Sequence, residues 1–300
     1  MSMSANNSLI LPPEARLVAG GLGFTEGPAL LPSGEVAVVS INRGRVYAVS
    51  LEDGAVREVV ETGGGPNCVA VGTAGRLWIS QNGGTAMPTR STLPARPSIQ
   101  CLSEDGLATV ADEGLLSPSD CEIGPDGRLW FTDPAGHMDS DRLGALRSLD
   151  PETGELTTHL ADLHFPNGLA FGHGVLYMVE TLTERVRRFE VDGDVVRPDG
   201  WQIDLPGAAP DGIAVDSAGW LWVAASRGDA LLAYDEHGAL RASYDFGVRV
   251  AVTSVCFAGP GLDTLVITVA KGGSVIALPA PNPGLPVPVW SLLDTKETHV

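Results

Sequence analysis

Short apolar runs alternate along the chain with polar breaks centred on glycine. Six segments share one pattern: EGPALLPSGEVAVVS from Glu26, NCVAVGTAGRLWIS from Asn67, SDCEIGPDGRLWFTD from Ser119, NGLAFGHGVLYMVE from Asn167, DGIAVDSAGWLWVAA from Asp211 and TSVCFAGPGLDTLVIT from Thr253. Each opens on a polar residue, runs through a short apolar stretch, turns at glycine and enters a second apolar stretch. That is the signature of a β-hairpin. The turn glycine lies eight residues after the start at Gly34, Gly75, Gly127, Gly219 and Gly261, and seven after it at Gly174. Successive starts are 41, 52, 48, 44 and 42 residues apart, a mean of 45.4. Further strand-like runs follow most hairpins, such as RVYAVS then AVREVV, and SIQCLS then LATVAD. Units of about 40–50 residues with four strands each predict a β-propeller. A β-sandwich has turns every 8–12 residues but no such long internal echo. The expectation is therefore an all-β, six-bladed β-propeller as a single domain over residues 1–300, with 1–15 either disordered or a closing strand. Trp78, Trp130 and Trp222 recur at one repeat position and are expected to pack between blades.

Composition narrows the function classes. Of 300 residues, 37 are Gly and 22 Pro, a turn density incompatible with long helices. The apolar fraction of 44% supplies a sizeable core, and only 19% of residues are charged, which excludes a disordered chain. The net charge of −18 repels nucleic-acid phosphates and anionic lipid, so neither is an expected partner. No run approaches the ~20 apolar residues needed to span a bilayer. MSMSANNSLILPPEARL at the start lacks the features of a secretory signal. Cys68, Cys101, Cys121 and Cys256 show no metal or disulfide spacing. A soluble, cytoplasmic protein is the simplest expectation. The chain has no G-x-S-x-G elbow and no paired-histidine metal spacing.

In a propeller the first strand of each blade lines the central channel, so the six starting residues form a ring at one end of it. Glu26, Asn67, Ser119, Asn167, Asp211 and Thr253 all offer side-chain oxygen. Converging oxygens suit a hard cation such as Ca²⁺ or Mg²⁺. Without one, the carboxylates of Glu26 and Asp211 would repel each other and one would hold a proton. Asn167 can add a neutral carbonyl between them. Four of the six follow proline (Pro66, Pro118, Pro166, Pro210), so a plain turn role competes for those positions; it explains Glu26 poorly.

FTEGPAL (24–30), PNCVAV (66–71), SPSDCEIGPDGRLWFTDP (117–134), FPNGLAF (165–171), PDGIAVD (210–216), TSVCFAGPGLDTLVITVA (253–270) and the tail GGSVIALPAPNPGLPV together resemble the senescence marker protein (regucalcin)/gluconolactonase family of six-bladed propeller lactonases. The resemblance implies that Glu26, Asn167 and Asp211 hold a divalent metal. Ca²⁺ is the expected ion, with Mg²⁺, Mn²⁺, Zn²⁺ and Fe²⁺ as alternatives. Asn67 and Ser119 are expected to contact substrate. Two departures stand out. The third-blade Pro-Asn-Asp of the family is Pro118-Ser119-Asp120 here, and the arginine that precedes it in sugar-acid-binding members is Ser117. Both remove contacts to a polyhydroxylated substrate.

The expected activity is metal-assisted hydrolysis of a small-molecule lactone, from sugar lactones to less polar lactones or esters. The cation would act as Lewis acid and Asp211 as general base. The alternatives are a non-catalytic scaffold propeller and a phosphotriesterase-like hydrolase. The loops 82–97 and 135–144 are expected either to cover the channel mouth or to be solvated connections.

Overall fold

A computed structural model describes residues 8–138 and 141–286. Among them are six four-stranded antiparallel sheets, each built from strands consecutive in the chain save the last. The innermost strands are Thr25–Leu30, Pro66–Val71, Cys121–Ile123, Pro166–Gly172, Pro210–Val215 and Val252–Ala258. We number the blades 1 to 6 in that order. The six-bladed propeller expected from the repeat is thus the observed fold.

The last blade is completed from the other end of the chain. Arg16–Ala19 pairs antiparallel with Ser274–Pro279, Leu17 opposite Ile276, as its outermost strand. The ring of blades is thereby closed by backbone hydrogen bonds between the two ends, which removes an exposed edge. Upstream of it, Ser8–Leu9 pairs with Gly247–Val248.

Burial falls from the axis outward. The second strand of blade 1, Val36–Ser40, is buried throughout, whereas its fourth, Val56–Glu61, is exposed or half-buried. Six apolar clusters fill the six interfaces between neighbouring blades. Trp78, Trp130 and Trp222 each belong to one of them and are 3%, 0% and 0% exposed, as the repeat predicted. Buried indole N–H groups need acceptors. Trp130 donates to Asp126 at 3.0 Å and Trp222 to Asp216 at 3.0 Å, both from the hairpin turn of their own blade.

Close approach at the axis explains the glycine in the EGP, PNG and PDG motifs. A Cβ on Gly27 would collide with the backbone of Asn67 and Cys68, one on Gly168 with the Asp211 carbonyl, and one on Gly212 with the Ser254 side chain. In each case the obstruction is the inner strand of the next blade.

Candidate metal centre

The six starting residues occupy the head of the inner strands, and five are nearly enclosed: Glu26, Asn67, Ser119, Asn167 and Thr253 are between 1% and 9% exposed. Asp211 is half-buried. Three of the residues form a hydrogen-bonded chain across blades 3, 4 and 5. Ser119 Oγ donates to Asn167 Oδ1 at 3.1 Å, and Asn167 Nδ2 donates to Asp211 Oδ1 at 2.6 Å. The same amide donates to Thr181 Oγ1 at 3.2 Å, and the Thr181 hydroxyl donates to the Pro210 carbonyl at 2.7 Å. Glu26 Oε2 accepts the Gly27 N–H at 3.3 Å.

A second layer of polar side chains holds this ring in place. Hydroxyls on one blade donate to backbone carbonyls at the head of the next inner strand: Ser80 to Ser119, Thr132 to Asn167 at 2.8 Å, and Thr253, itself a ring residue, to Thr25 beside Glu26 at 2.9 Å. The residues that end the second strands of blades 2, 3 and 4 anchor the segment entering their own inner strand. Gln81 Oε1 accepts the Gly65 N–H at 2.6 Å, Asp133 Oδ1 accepts the Ser117 N–H at 2.7 Å, and Glu180 Oε2 accepts the His164 N–H at 3.0 Å. Asp133 and Glu180 are in turn ion-paired with Arg147 and Arg187, each at 3.0 Å. These anchors were not foreseen from the sequence. Their signal was present in the repeat as a polar residue closing an otherwise apolar strand.

The structure adds Asp120 to the carboxylates of the site. It is 6% exposed, and its charge acts on both Glu26 and Asp211. The repeat points to Ser119 alone in blade 3, because one residue per blade is expected to face the axis. A β-bulge at the head of the inner strand, seen for example between Glu26 and Ala29 and between Pro210 and Ile213, breaks that simple alternation.

The electrostatics follow from burial. Glu26 is held well above the ordinary carboxylate range by burial first, then by the charges of Asp211 and Asp120, against the Gly27 N–H and the Thr253 hydroxyl. Asp211 is likewise raised by burial and then by Asp120, with the Asn167 amide opposing. Burial pushes Asp120 up to about 7. Among the described residues no Lys or Arg side chain pairs with any of the three. Uncompensated buried carboxylates are costly unless they hold protons or a cation. No three His, Cys, Asp or Glu side chains among the described residues converge closely enough to hold an ion by themselves. A cation would therefore draw on the Asn167 amide oxygen as well. A donor set of carboxylate, amide and hydroxyl oxygen fits a hard divalent ion.

The loop 82–97 contains no strand and folds back over blades 1 and 2. Arg90 N–H donates to Asn42 O at 2.8 Å, Met87 packs against the cluster between those blades, and Thr85 Oγ1 donates to Ser117 Oγ at 2.9 Å. Ser117 is thus tied to this loop by its hydroxyl and to Asp133 by its backbone. Of the second loop, residues 139 and 140 lie outside the described residues; Met138 and Leu143 beside them are exposed. No helix among the described residues is long and apolar enough to cross a membrane.

Comparison with known proteins places this geometry in a family. Pentonolactonase XacC of Haloferax volcanii is 35% identical over 156 residues, 49% of this chain and 51% of that protein. The chain spans about half the length of the curated relatives it matches. A gluconolactonase from Xanthomonas campestris superposes with a TM-score of 0.71 at 23% identity, over 93% of this chain and 96% of that one. Regucalcin from Agrobacterium tumefaciens, a calcium-binding protein, gives 0.76 at 19% identity, over 94% and 99%. Both likenesses speak to the fold alone. The family model for the SMP-30/Gluconolactonase/LRE-like region matches residues 24–271, from the strand that carries Glu26 to the last blade, and the chain belongs to that family.

Proposed function

We propose that this protein hydrolyses a small-molecule lactone or related ester at the head of its central channel, using a divalent cation held by Glu26, Asn167 and Asp211. The observation that carries the reading is a cluster of buried carboxylates with no Lys or Arg paired to it among the described residues, in a family with lactonases among its members. A bound cation would supply Lewis-acid polarisation of the ester carbonyl.

The remaining chemistry belongs to the chain. Asp211 is the general base: it is the ring carboxylate that is only half-buried, so a water can reach it. Asn167 fixes its orientation through the 2.6 Å hydrogen bond. Asn67 and Ser119 border the same space and orient the substrate; Ser119, through its hydrogen bond to Asn167, also fixes the face of the amide that Asn167 presents. Ca²⁺ is the ion we favour, because every donor is oxygen. The absence of a guanidinium at Ser117 and of an amide at Ser119 favours substrates less polar than aldonolactones. The loop 82–97, tied to Ser117 through Thr85, covers the mouth.

The test is Asp211→Asn on a lactone panel, run beside chelation and single-metal add-back. Loss of a general base lowers turnover by about 10²- to 10⁴-fold. Unchanged turnover would eliminate Asp211 as the base, and activity that survives exhaustive chelation would eliminate the cation.

A further inference from the structure

Below the ring, toward the face of the hairpin turns, the channel widens into a chamber of about 770 Å³. That lies within the range of about 300–1,000 Å³ usual for small-molecule sites. The ring residues Glu26, Asn67, Ser119, Asn167 and Asp211 do not line it; Asp120 alone of the site carboxylates reaches its inner end. Its width has a simple sequence origin. Three residues beyond each ring residue stand Ala29, Ala70, Glu122, Ala170, Ala214 and Cys256, all on the chamber wall. Five small side chains make the space, and the sixth is an acid.

The charge of the wall is one-sided. Glu122, Asp120 and Asp126 line the chamber, and among the described lining residues there is no Lys or Arg. Asp126 is already engaged by the Trp130 indole and the Arg128 N–H. Among the described residues Glu122 accepts one hydrogen bond, from the Phe171 N–H to Oε2 at 2.9 Å, and burial raises its carboxyl to about 7. Asp120 is 6% exposed, and no hydrogen bond from a described residue reaches its carboxylate. The rest of the wall is mainly aliphatic and aromatic, with Leu169, Phe171, Val215 and Phe257 among it. His173, the one basic side chain among the described lining residues, is engaged at Nε2 with the Asp216 carbonyl at 3.0 Å. An apolar enclosure with under-used carboxylates and no opposing Lys or Arg among the described residues is complementary to one kind of molecule: an apolar body carrying a positive charge.

We propose that this chamber is a second binding site, separate from the ring, for a small apolar amine whose ammonium group donates to Glu122. The apolar body fills the space left by the alanines, and the ammonium takes the Glu122 oxygen that Phe171 leaves free. Entry is from the face opposite the loop 82–97, between the turns at Pro125–Asp126 and Gly172–Gly174 and the segment Leu285–Pro286.

The experiment uses the full chain, metal-depleted, at pH 8, where Glu122 is mostly ionised, and three probes of one shape: cyclohexylmethylammonium, cyclohexylmethanol and cyclohexanecarboxylate, titrated by calorimetry. The ammonium should bind at least about tenfold more tightly than the alcohol, as expected for a hydrogen bond to a charged group, and the carboxylate most weakly. Glu122→Gln should lower the ammonium's affinity to that of the alcohol and leave the alcohol unchanged, which also reports that the chamber is intact. Ala214→Phe, which fills the chamber, should weaken both. Asp211→Asn, in the ring, should change ammonium binding less than twofold. Equal affinity for ammonium and alcohol, or full ammonium binding by Glu122→Gln, would overturn the proposal. Loss of binding in Asp211→Asn would overturn it too, by locating the cation in the ring. None of these readings depends on lactone turnover.

Discussion

Binding of a divalent cation at the ring should expel protons at neutral pH. Metal-free Asp120 titrates at about 7, so at pH 7 it carries about half a proton and at pH 6 about nine-tenths. Glu26 and Asp211 are raised too, by burial first and then by neighbouring carboxylates. A cation bound among these oxygens favours their charged forms and drives the protons off. For Asp120 alone, affinity falls by about tenfold between pH 8 and pH 6, equivalent to ~1.4 kcal/mol, and the other two carboxyls can only steepen the fall. The sign is fixed: binding strengthens as pH rises. Calorimetric titration of Ca²⁺ in buffers of different ionisation enthalpy counts the protons directly. At pH 7 at least about half a proton should appear per ion bound. No proton release, together with an affinity that changes less than twofold from pH 6 to pH 8, would refute a site built on these buried carboxyls.

Other consequences can be checked on the same protein. Without metal, Asp120 and Glu122 keep their protons to about pH 7 in the fold, against reference values of 3.8 and 4.5. Their raised folded-state pKa favours folding below about pH 4, and that contribution is lost as pH rises through 7; for Asp120 it is on the order of 4 kcal/mol. Carboxylates held low by partners, such as Glu35 and Asp235, change stability only below about pH 5 and leave the range from pH 5 to pH 8 clear. Thermal unfolding in chelator should therefore show a falling Tm from pH 5 to pH 8, with a rise on adding Ca²⁺; a Tm that climbs with pH in chelator contradicts the buried-carboxyl account. Gly168→Ala drives a methyl into the Asp211 carbonyl and should cost about 1–3 kcal/mol in urea denaturation while displacing Asp211 from its partner Asn167. Gly34→Ala, where nothing stands within 4 Å, isolates the backbone penalty of a left-handed turn and serves as the comparison. Thr85→Val removes the bond that ties the loop 82–97 to Ser117 and should speed limited proteolysis within that loop; an unchanged cleavage rate would show that the tie is irrelevant to loop closure.

The sequence by itself determined the propeller and most of the ring. The 45-residue echo fixed six hairpins, the recurring tryptophans fixed which faces pack between blades, and the motif residues Glu26, Asn167 and Asp211 fell at equivalent strand heads. These are local, periodic signals, and each can be read from neighbours along the chain. Three features were decided by tertiary structure alone. The pairing of Arg16–Ala19 with Ser274–Pro279 joins residues from opposite ends of the chain, and nothing local in either segment names its partner. Asp120 enters the carboxylate cluster because Ser119 and Asp120 both pair with Thr132 just ahead of the inner strand, a backbone event that alternation of apolar and polar residues does not encode. The chamber exists because five alanine or cysteine side chains and Glu122, scattered over more than 200 residues, meet at one height of the channel. Cavity and charge cluster are properties of convergence, and convergence is set only when the blades close.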